Sequence, residues 1–200
     1  MAADDTATRP AASVIKLRLR WLLIVVAVMA VLTAGWPLLN RAVANRRPLA
    51  AGAHLTVGTA PSSSAVITVG PGWSLLSAQS NPMLGYMLEH GPIQLSINHV
   101  ALVAGDQVPD LWRGLRDILA VSDPGVRLSR PVLIVRDHRV RAITGAVIGT
   151  RLAGTATIVP GPSRKFGIEM IALAPRGTSA ARRLLAIMVM RSLRFTARSP

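Results

Sequence analysis

The sequence predicts an α+β protein with one N-terminal transmembrane helix, followed by an antiparallel sheet that two amphipathic helices cover. Three observations lead to this prediction. Residues 21–40 carry no charge, residues after 65 alternate between β-branched runs and turn signals, and two later segments have the apolar period of surface helices. The stretch after the apolar run is long enough for one hydrophobic core but not for two.

Residues 21–40 are predicted to be a transmembrane signal anchor. From Trp21 to Leu39 a helix rises roughly 28 Å, close to the hydrocarbon thickness of about 30 Å. Trp21 and Trp36 lie near the two ends, where aromatic rings favour the membrane interface. Pro37 lies in the last turn, where it can end the helix. The partner predicted for this segment is the lipid bilayer.

This segment allows two other interpretations. A buried core helix would need a polar face, which the run lacks. A cleaved signal peptide would use Ala42-Val43-Ala44 as its small-residue site, but signal peptides have a shorter apolar region of about 7–15 residues. Arg41 directly precedes that site, where a charge is unusual. The anchor is therefore favoured, and cleavage stays open.

The basic residues beside the span predict its orientation, because cytoplasmic flanks carry the excess of Lys and Arg. The residues before the span are Arg9, Lys16, Arg18 and Arg20, and those after it are Arg41, Arg46 and Arg47. We therefore expect a cytoplasmic tail over residues 1–20 and a C-terminal domain outside the cytoplasm. The protein is then a single-pass protein of the plasma membrane. The chain has no cysteine, which excludes disulfides and thiol chemistry.

Two segments follow the span. Residues 41–64 are rich in Ala, Arg, Gly, Pro and Ser and are predicted to be a juxtamembrane linker, with a short strand at 54–57. Residues 65–196 are predicted to be the α+β extracytoplasmic domain. It begins with a β-branched run at 65–69, and apolar runs at 83–88 and 93–102 flank the turn signal Glu89-His90-Gly91-Pro92, which predicts a hairpin.

The second half of the domain is predicted to contain two helices and a meander. The first helix has apolar residues at helical spacing: Val108, Leu111, Trp112, Leu115, Ile118 and Leu119. Asp106 is its predicted cap, and Ser122-Asp123-Pro124-Gly125 ends it. The strand-like runs are 132–135, 140–150, 155–159 and 166–173, with turns at Asp137-His138-Arg139, Ala153-Gly154 and Gly161-Pro162-Ser163-Arg164. Short connections favour antiparallel pairing.

The last helix is predicted over residues 179–190. Its inner face is expected to carry Ala181, Leu184, Leu185 and Met188, with Arg182 and Arg183 outside. Strands grouped with two helices indicate a layered α+β domain.

This order of elements, together with a few local motifs, resembles the Mog1/PsbP-like α/β/α sandwich. Pro71-Gly72-Trp73 is one residue shorter than the Pro-x-x-Trp common in that family, and Ala174-Pro175 ends the last long strand. The final helix leads into Ser192-Leu193-Arg194-Phe195, similar to the family's Ser-x-x-Phe ending. The resemblance covers roughly residues 65–195. The family that the chain resembles includes membrane-anchored and secreted actinobacterial proteins. The resemblance implies the fold rather than an activity, and the family's members are mostly non-enzymatic binding or assembly factors.

No catalytic, metal-binding or cofactor motif is found, so none is predicted. The histidines are His54, His90, His99 and His138, and none has metal-ligand spacing with another His, Cys, Asp or Glu. Nucleophile-elbow, phosphate-loop and dinucleotide patterns are absent. Gly145 and Gly149 lie in a strand pattern, where bulges or close backbone contacts explain them better than helix packing. Ligand-binding residues cannot be named from the sequence.

Glu169 is the one acidic residue within an apolar strand run, and it defines the enzymatic alternative. On an alternating strand Glu169 shares a face with Gly167 and Ile171, where we expect an arginine to pair with it. A small membrane-bound hydrolase or transferase would need at least two titratable side chains to meet in one cleft, and His99, Glu169 and His138 are the few available.

The domain is strongly basic. From Arg46 onward the chain contains 18 Lys or Arg and 7 Asp or Glu, which is an excess of 11 positive charges. Such a domain attracts anionic lipid or an envelope polyanion, although no long basic run concentrates the charge, so composition alone also explains it. Sparse aromatics and the lack of a helix-turn-helix argue against nucleic acid. The predicted function is a non-enzymatic, membrane-anchored bacterial envelope protein that binds a partner protein or an anionic envelope component.

Overall fold

The computed structural model describes residues 46–58, 63–102, 108–135 and 141–196. Twelve strands lie in these ranges: β1 Arg46–Pro48, β2 Ala53–Val57, β3 Ala65–Val69, β4 Ser74–Leu76, β5 Gly85–His90, β6 Ile93–Ala101, β7 Arg127–Leu128, β8 Val132–Val135, β9 Arg141–Ile148, β10 Leu152–Pro160, β11 Phe166–Pro175 and β12 Arg194–Phe195. The helices are α1 Val108–Ser122 and α2 Ala180–Arg191, with a 3₁₀ turn at Ser77–Gln79.

The strands form two antiparallel sheets. The main sheet has the order β1-β4-β5-β6-β11-β10-β9, and both β7 and β8 pair with β9 at its far edge. The small sheet has the order β12-β3-β2. The hairpin of β5 and β6 and the meander from β8 to β11 follow the predicted order. The α+β class with an antiparallel sheet and two helices is therefore confirmed.

The main sheet packs on both faces. On the first, which we call face A, Ile168, Met170 and Ala172 of β11 pack with α2 and the small sheet. On the other, face B, Ile171 packs with Trp112 and Leu115 of α1. Side chains alternate along β11, so one strand supplies both cores. The result is three layers: α1, the main sheet, and α2 with the small sheet.

Helix α1 forms where its apolar period predicts it. Trp112 and Leu115 are buried, and the Trp112 indole donates to the Ser129 carbonyl at 3.2 Å. Ile118, expected on the inner face, is 63% exposed. The prediction for Ile118 is wrong because α1 packs through Trp112 and Leu115, with Leu111 and Leu119 partly buried, so that the stripe in contact with the sheet is narrower than the apolar surface of the helix.

Helix α2 begins after Ser179, whose side chain accepts the Arg182 N–H, but its buried face differs from the predicted one. Its buried residues are Ala186, Val189 and Met190. Of the expected inner residues, Leu185 packs against the core, whereas Ala181, Leu184 and Met188 are exposed. Residues 184–190 are apolar around the whole helix, so the period does not single out one face. Packing against β11 and β6 of the main sheet and β3 of the small sheet therefore decides the orientation.

Two further expectations need correction. Residues 41–64 contain the predicted strand, β2, but also β1, and both pair into the sheets; the sheet architecture therefore begins before residue 65. Ala153-Gly154 lies inside β10, whereas the turn falls at residues 149–151. Gly154 is needed in the strand because a Cβ there would collide with the Ala172 carbonyl of β11.

The remaining predictions lie outside the described residues. They include the tail at 1–20, the span at 21–40, the Asp106 cap and the Asp137-His138-Arg139 turn. Among the residues that the structure does describe, neither helix is long and apolar enough to cross a bilayer.

Candidate functional site

A cleft lies on face A between α2 and strands β8, β9 and β10. Its volume is about 550 Å³, within the range of ligand and side-chain binding sites. The residues that line it are Ile134, Val135, Thr144, Thr155, Thr157, Ile187, Met190 and Arg191.

The cleft exists because the side chains on face A beneath α2 become smaller from β11 towards β9. Thr155 of β10 pairs with Ala172, and Thr157 pairs with Met170, so both threonines share face A with the core. Thr144 of β9 is in turn opposite Thr157. Towards β9 the large core side chains thus give way to short hydroxyl side chains, and the space above them stays open.

The polar floor of the cleft is internally hydrogen-bonded. The Thr144 hydroxyl lies 3.0 Å from the Ala156 carbonyl and 2.9 Å from the Thr157 hydroxyl. The walls are apolar side chains of Ile134, Ile187 and Met190. Arg191, exposed at the end of α2, is the one ionisable group in the described lining. This lining suits an apolar group with a few hydrogen bonds, and it supplies no acid and base for bond breaking.

Strand β8 forms one wall of the cleft and also the edge of the main sheet. Val132, Leu133 and Val135 are 60%, 59% and 71% exposed. Within the described ranges, β9 is the only strand that pairs with β8. We call residues 127–135 together with Arg141 the edge surface. Three exposed arginines belong to it: Arg127, Arg130 and Arg141.

Two residues of the enzymatic alternative, Glu169 and His99, do not come together. Register pairs Glu169 with Asn98 and Ile168 with His99. Side chains of adjacent residues point to opposite faces, so Glu169 lies on face B and His99 on face A. Residue His138 lies outside the described ranges. Two of the three candidates are therefore separated by the sheet itself.

Glu169 has an amide rather than an arginine as its partner. The Asn98 Nδ2 donates to its Oε1 at 3.3 Å, and no ion pair of Glu169 occurs among the described residues. Burial raises the pKa of Glu169 above its ordinary value, and the Asn98 hydrogen bond partly opposes this shift. The expected arginine pair is thus replaced by a half-buried carboxylate beside an amide.

The described histidines pack against aromatic rings or lie near a hydroxyl group. The His99 ring stacks on Phe166, with centroids 5.1 Å apart, and its buried Nε2 has no hydrogen-bond partner. His90 packs against Trp73 at 5.4 Å, and His54 Nδ1 lies 3.1 Å from the Thr68 hydroxyl. The described residues contain no cluster of three His, Cys, Asp or Glu that could bind a metal ion.

Comparison with known proteins gives a likeness of fold. No family model matches the chain, and no curated protein matches it in sequence. The solved structure of the Ran-binding protein Mog1p from Saccharomyces cerevisiae matches with a TM-score of 0.50 at 8% identity, covering 73% of this chain and 97% of that one. Cyanobacterial PsbP (CyanoP) from Synechocystis matches with 0.53 at 11% identity, covering 74% and 95%. The fold is Mog1/PsbP-like.

The Ser-x-x-Phe ending has a structural explanation in this Mog1/PsbP-like fold. The Ser192 hydroxyl accepts the Thr68 N–H at 2.9 Å and lies within donating distance of the Thr68 and Val189 carbonyls. Leu193 is buried in the core of face A, and Phe195 packs edge-on against Phe166 at 5.6 Å. The motif therefore joins the end of α2 to β3.

The sequence does not reveal the cleft. The available signal was Thr155-Ala156-Thr157, which places hydroxyls at core-facing positions of a central strand. Thr is common in strands on either face, so the pattern alone does not indicate a cleft. The run at 132–135 was correctly predicted as a strand, but its position at the sheet edge is set by pairing that the sequence does not reveal.

Proposed function

We propose that the protein is a non-enzymatic, membrane-anchored envelope protein that binds a partner protein through the cleft and the adjoining edge surface. The observation that carries this proposal is the lining of the cleft, which offers apolar walls and hydroxyls but no acid–base pair. Exposed apolar side chains on β8 extend the same surface beyond the cleft. Apolar patches of this kind, bordered by polar residues, are typical of protein-binding sites.

A protein partner is also plausible by analogy of fold. Mog1p, which has the same fold, is a Ran-binding protein. At 8% identity this analogy transfers no partner and no binding residue. It supports only the idea that such a domain can work as a binding module without catalysis.

The membrane anchor and the anionic component complete the proposal. Residues 21–40 would hold the domain at the plasma membrane, on the extracytoplasmic side, and β1 begins at Arg46, close behind that segment. With 18 basic residues from Arg46 onward, anionic lipid or an envelope polyanion would be attracted to the domain in a salt-dependent way.

The alternative, a small membrane-bound hydrolase or transferase, finds no support in the described residues. It requires two titratable side chains in one cleft, and Glu169 and His99 lie on opposite faces of the main sheet. The cleft on face A contains neither of them.

Site-specific photo-crosslinking in living cells tests the binding site. A photoreactive amino acid replaces Leu133 or Val135 on β8, and the control position is Val121, which is 86% exposed on α1. We expect a discrete protein adduct from Leu133 and Val135 and none from Val121. Equal adducts at all three positions, or adducts with lipid alone, would contradict a protein-binding site at this edge.

Protease treatment of intact cells tests the topology, with a tag placed after Pro200. Loss of the tag while cytoplasmic proteins stay intact is expected for an extracytoplasmic domain. Protection until the cells are lysed would reverse the orientation and would direct the partner search to the cytoplasm.

A further inference from the structure

We propose that the partner contributes an extended segment with alternating acidic and apolar residues, which adds to β8 as a further strand of the main sheet. This inference rests on the proposed function, since it specifies how the partner is recognised. It differs from a general binding surface because it commits to backbone hydrogen bonds along one strand edge.

The first support is the state of the edge. Strand β8 pairs with β9 in regular register over four residues, from Val132–Thr144 to Val135–Arg141. Soluble proteins usually protect such edges with inward charges, bulges, proline or a covering element. The four residues of β8 include no charge and no proline, although Pro131 directly precedes the strand, and in the described ranges no strand other than β9 pairs with it. An added strand would satisfy its outward N–H and C=O groups.

The second support is the cleft beside the edge. A strand paired with β8 would place every second side chain on face A, next to Val132 and Ile134. Ile134 also lines the cleft, so apolar side chains of the partner would extend its wall. The remaining side chains would lie on face B beside Leu133. This geometry therefore requires apolar side chains at every second position of the partner segment, on face A.

The third support is charge complementarity. Arg127 and Arg130 precede β8 along the same edge, and Arg141 lies directly opposite Val135. None of the three forms an ion pair with a described residue. Arg127 and Arg141 lie near opposite ends of β9, so the positive charge is spread along the edge. Arg141 shares face B with Leu133, and acidic side chains of the partner on that face would approach it. A second copy of the chain is a poorer occupant, because pairing two such edges brings the same arginines together.

A synthetic peptide of five Asp-Val repeats is a direct probe, used with the full-length protein in detergent micelles. Two analogues carry N-methyl groups, one on every Val and the other on every Asp. Alternate residues direct their N–H groups to opposite edges of a strand. Strand addition therefore predicts that one analogue binds like the parent peptide and that the other does not bind. Fluorescence anisotropy measures the affinities, and hydrogen exchange measures protection of β8 amides.

Charge reversal on the protein gives the matched control. Arg130→Glu and Arg141→Glu are each expected to lower the affinity for the peptide by roughly fivefold, which is the effect of losing an exposed charge contact. Arg182→Glu makes the same change of net charge on the exposed surface of α2 and is expected to leave the affinity unchanged. An equal loss in all three variants would indicate attraction by net charge and would overturn the inference.

The outcomes separate this inference from the proposed function. Equal binding by both N-methyl analogues, or no protection of β8 amides, overturns strand addition. If Leu133 still crosslinks to a discrete protein in that case, the proposed binding site stands and the mode of recognition is different. If neither Leu133 nor Val135 crosslinks to a protein, the proposed function itself fails.

Discussion

The indole of Trp112 lies directly over Gly145, so that a Cβ at residue 145 would come within 2.6 Å of the ring carbon Cζ2. The same Cβ would lie 2.8 Å from the Ser129 hydroxyl, which accepts the Ala146 N–H at 2.9 Å. The packing of α1 on face B therefore requires a residue without a side chain at position 145 of β9, where the Trp112 ring lies against the strand.

Gly145→Ala is expected to lower the free energy of unfolding by about 1–3 kcal/mol, because the buried Trp112 ring must move away from its packed position. Gly114→Ala is the matched control: a Cβ there meets nothing within 4 Å, and Ala favours a helix by up to about 1 kcal/mol. Urea unfolding of both variants measures the difference. A Gly145→Ala variant as stable as the parent would show that Trp112 does not pack as described.

Glu169→Gln is expected to raise the stability of the domain at neutral pH. Burial raises the pKa of Glu169 in the folded state, so its contribution is present below the unfolded-state pKa and is lost as the pH rises through the folded-state pKa. The gain from Glu169→Gln should therefore grow between about pH 4 and neutral pH. Asp117→Asn, on the exposed side of α1, controls for loss of a surface charge. A gain that does not change with pH would contradict the raised pKa.

Ser192→Ala is expected to reduce the free energy of unfolding by about 1–3 kcal/mol, because it leaves the Thr68 N–H without its side-chain partner. The hydroxyl also bridges to the Val189 carbonyl at 2.7 Å, so the end of α2 should loosen with it. Hydrogen exchange of the Thr68 amide measures this effect directly. Ser163→Ala, in the exposed turn between β10 and β11, should leave that amide unchanged.

His99→Phe is expected to preserve function and to raise stability by about 1 kcal/mol, since it removes a buried Nε2 that has no hydrogen-bond partner. A phenyl ring keeps the stacking on Phe166. His99→Ala removes the stacking and should destabilise the domain. Thermal unfolding separates the two variants. If His99→Phe abolished function in a folded protein, the enzymatic alternative would return.

The sequence predicted those elements whose side-chain period has one interpretation. The β-branched run at 65–69 leads to β3, and the helical spacing around Trp112 and Leu115 leads to α1. The failures have the opposite cause. Helix α2 is apolar around its circumference near Leu184 to Met190, so its buried face is decided by packing. Strands as short as β1 and β12 have too few residues to show a period.

The site was less predictable than the fold, because its properties arise between elements. Thr144 and Thr157 are ordinary strand residues until the register places their hydroxyls 2.9 Å apart beneath α2. Glu169 and His99 are two of the few titratable residues that an enzymatic site could use, and the same register separates them. Which strand forms the sheet edge is likewise a property of the whole topology.

The small sheet has a consequence for how the protein is made. The hydroxyls of Ser64 and Thr196 lie 2.7 Å apart, although these residues are 132 positions apart in the chain. At about 5–20 residues per second, a ribosome needs on the order of ten seconds to synthesise the intervening segment. During that interval the nascent chain presents β3 without β12 and without the buried face of α2. A newly made domain should therefore depend on holding chaperones until its last strand emerges, and truncation before Arg194 should prolong that dependence.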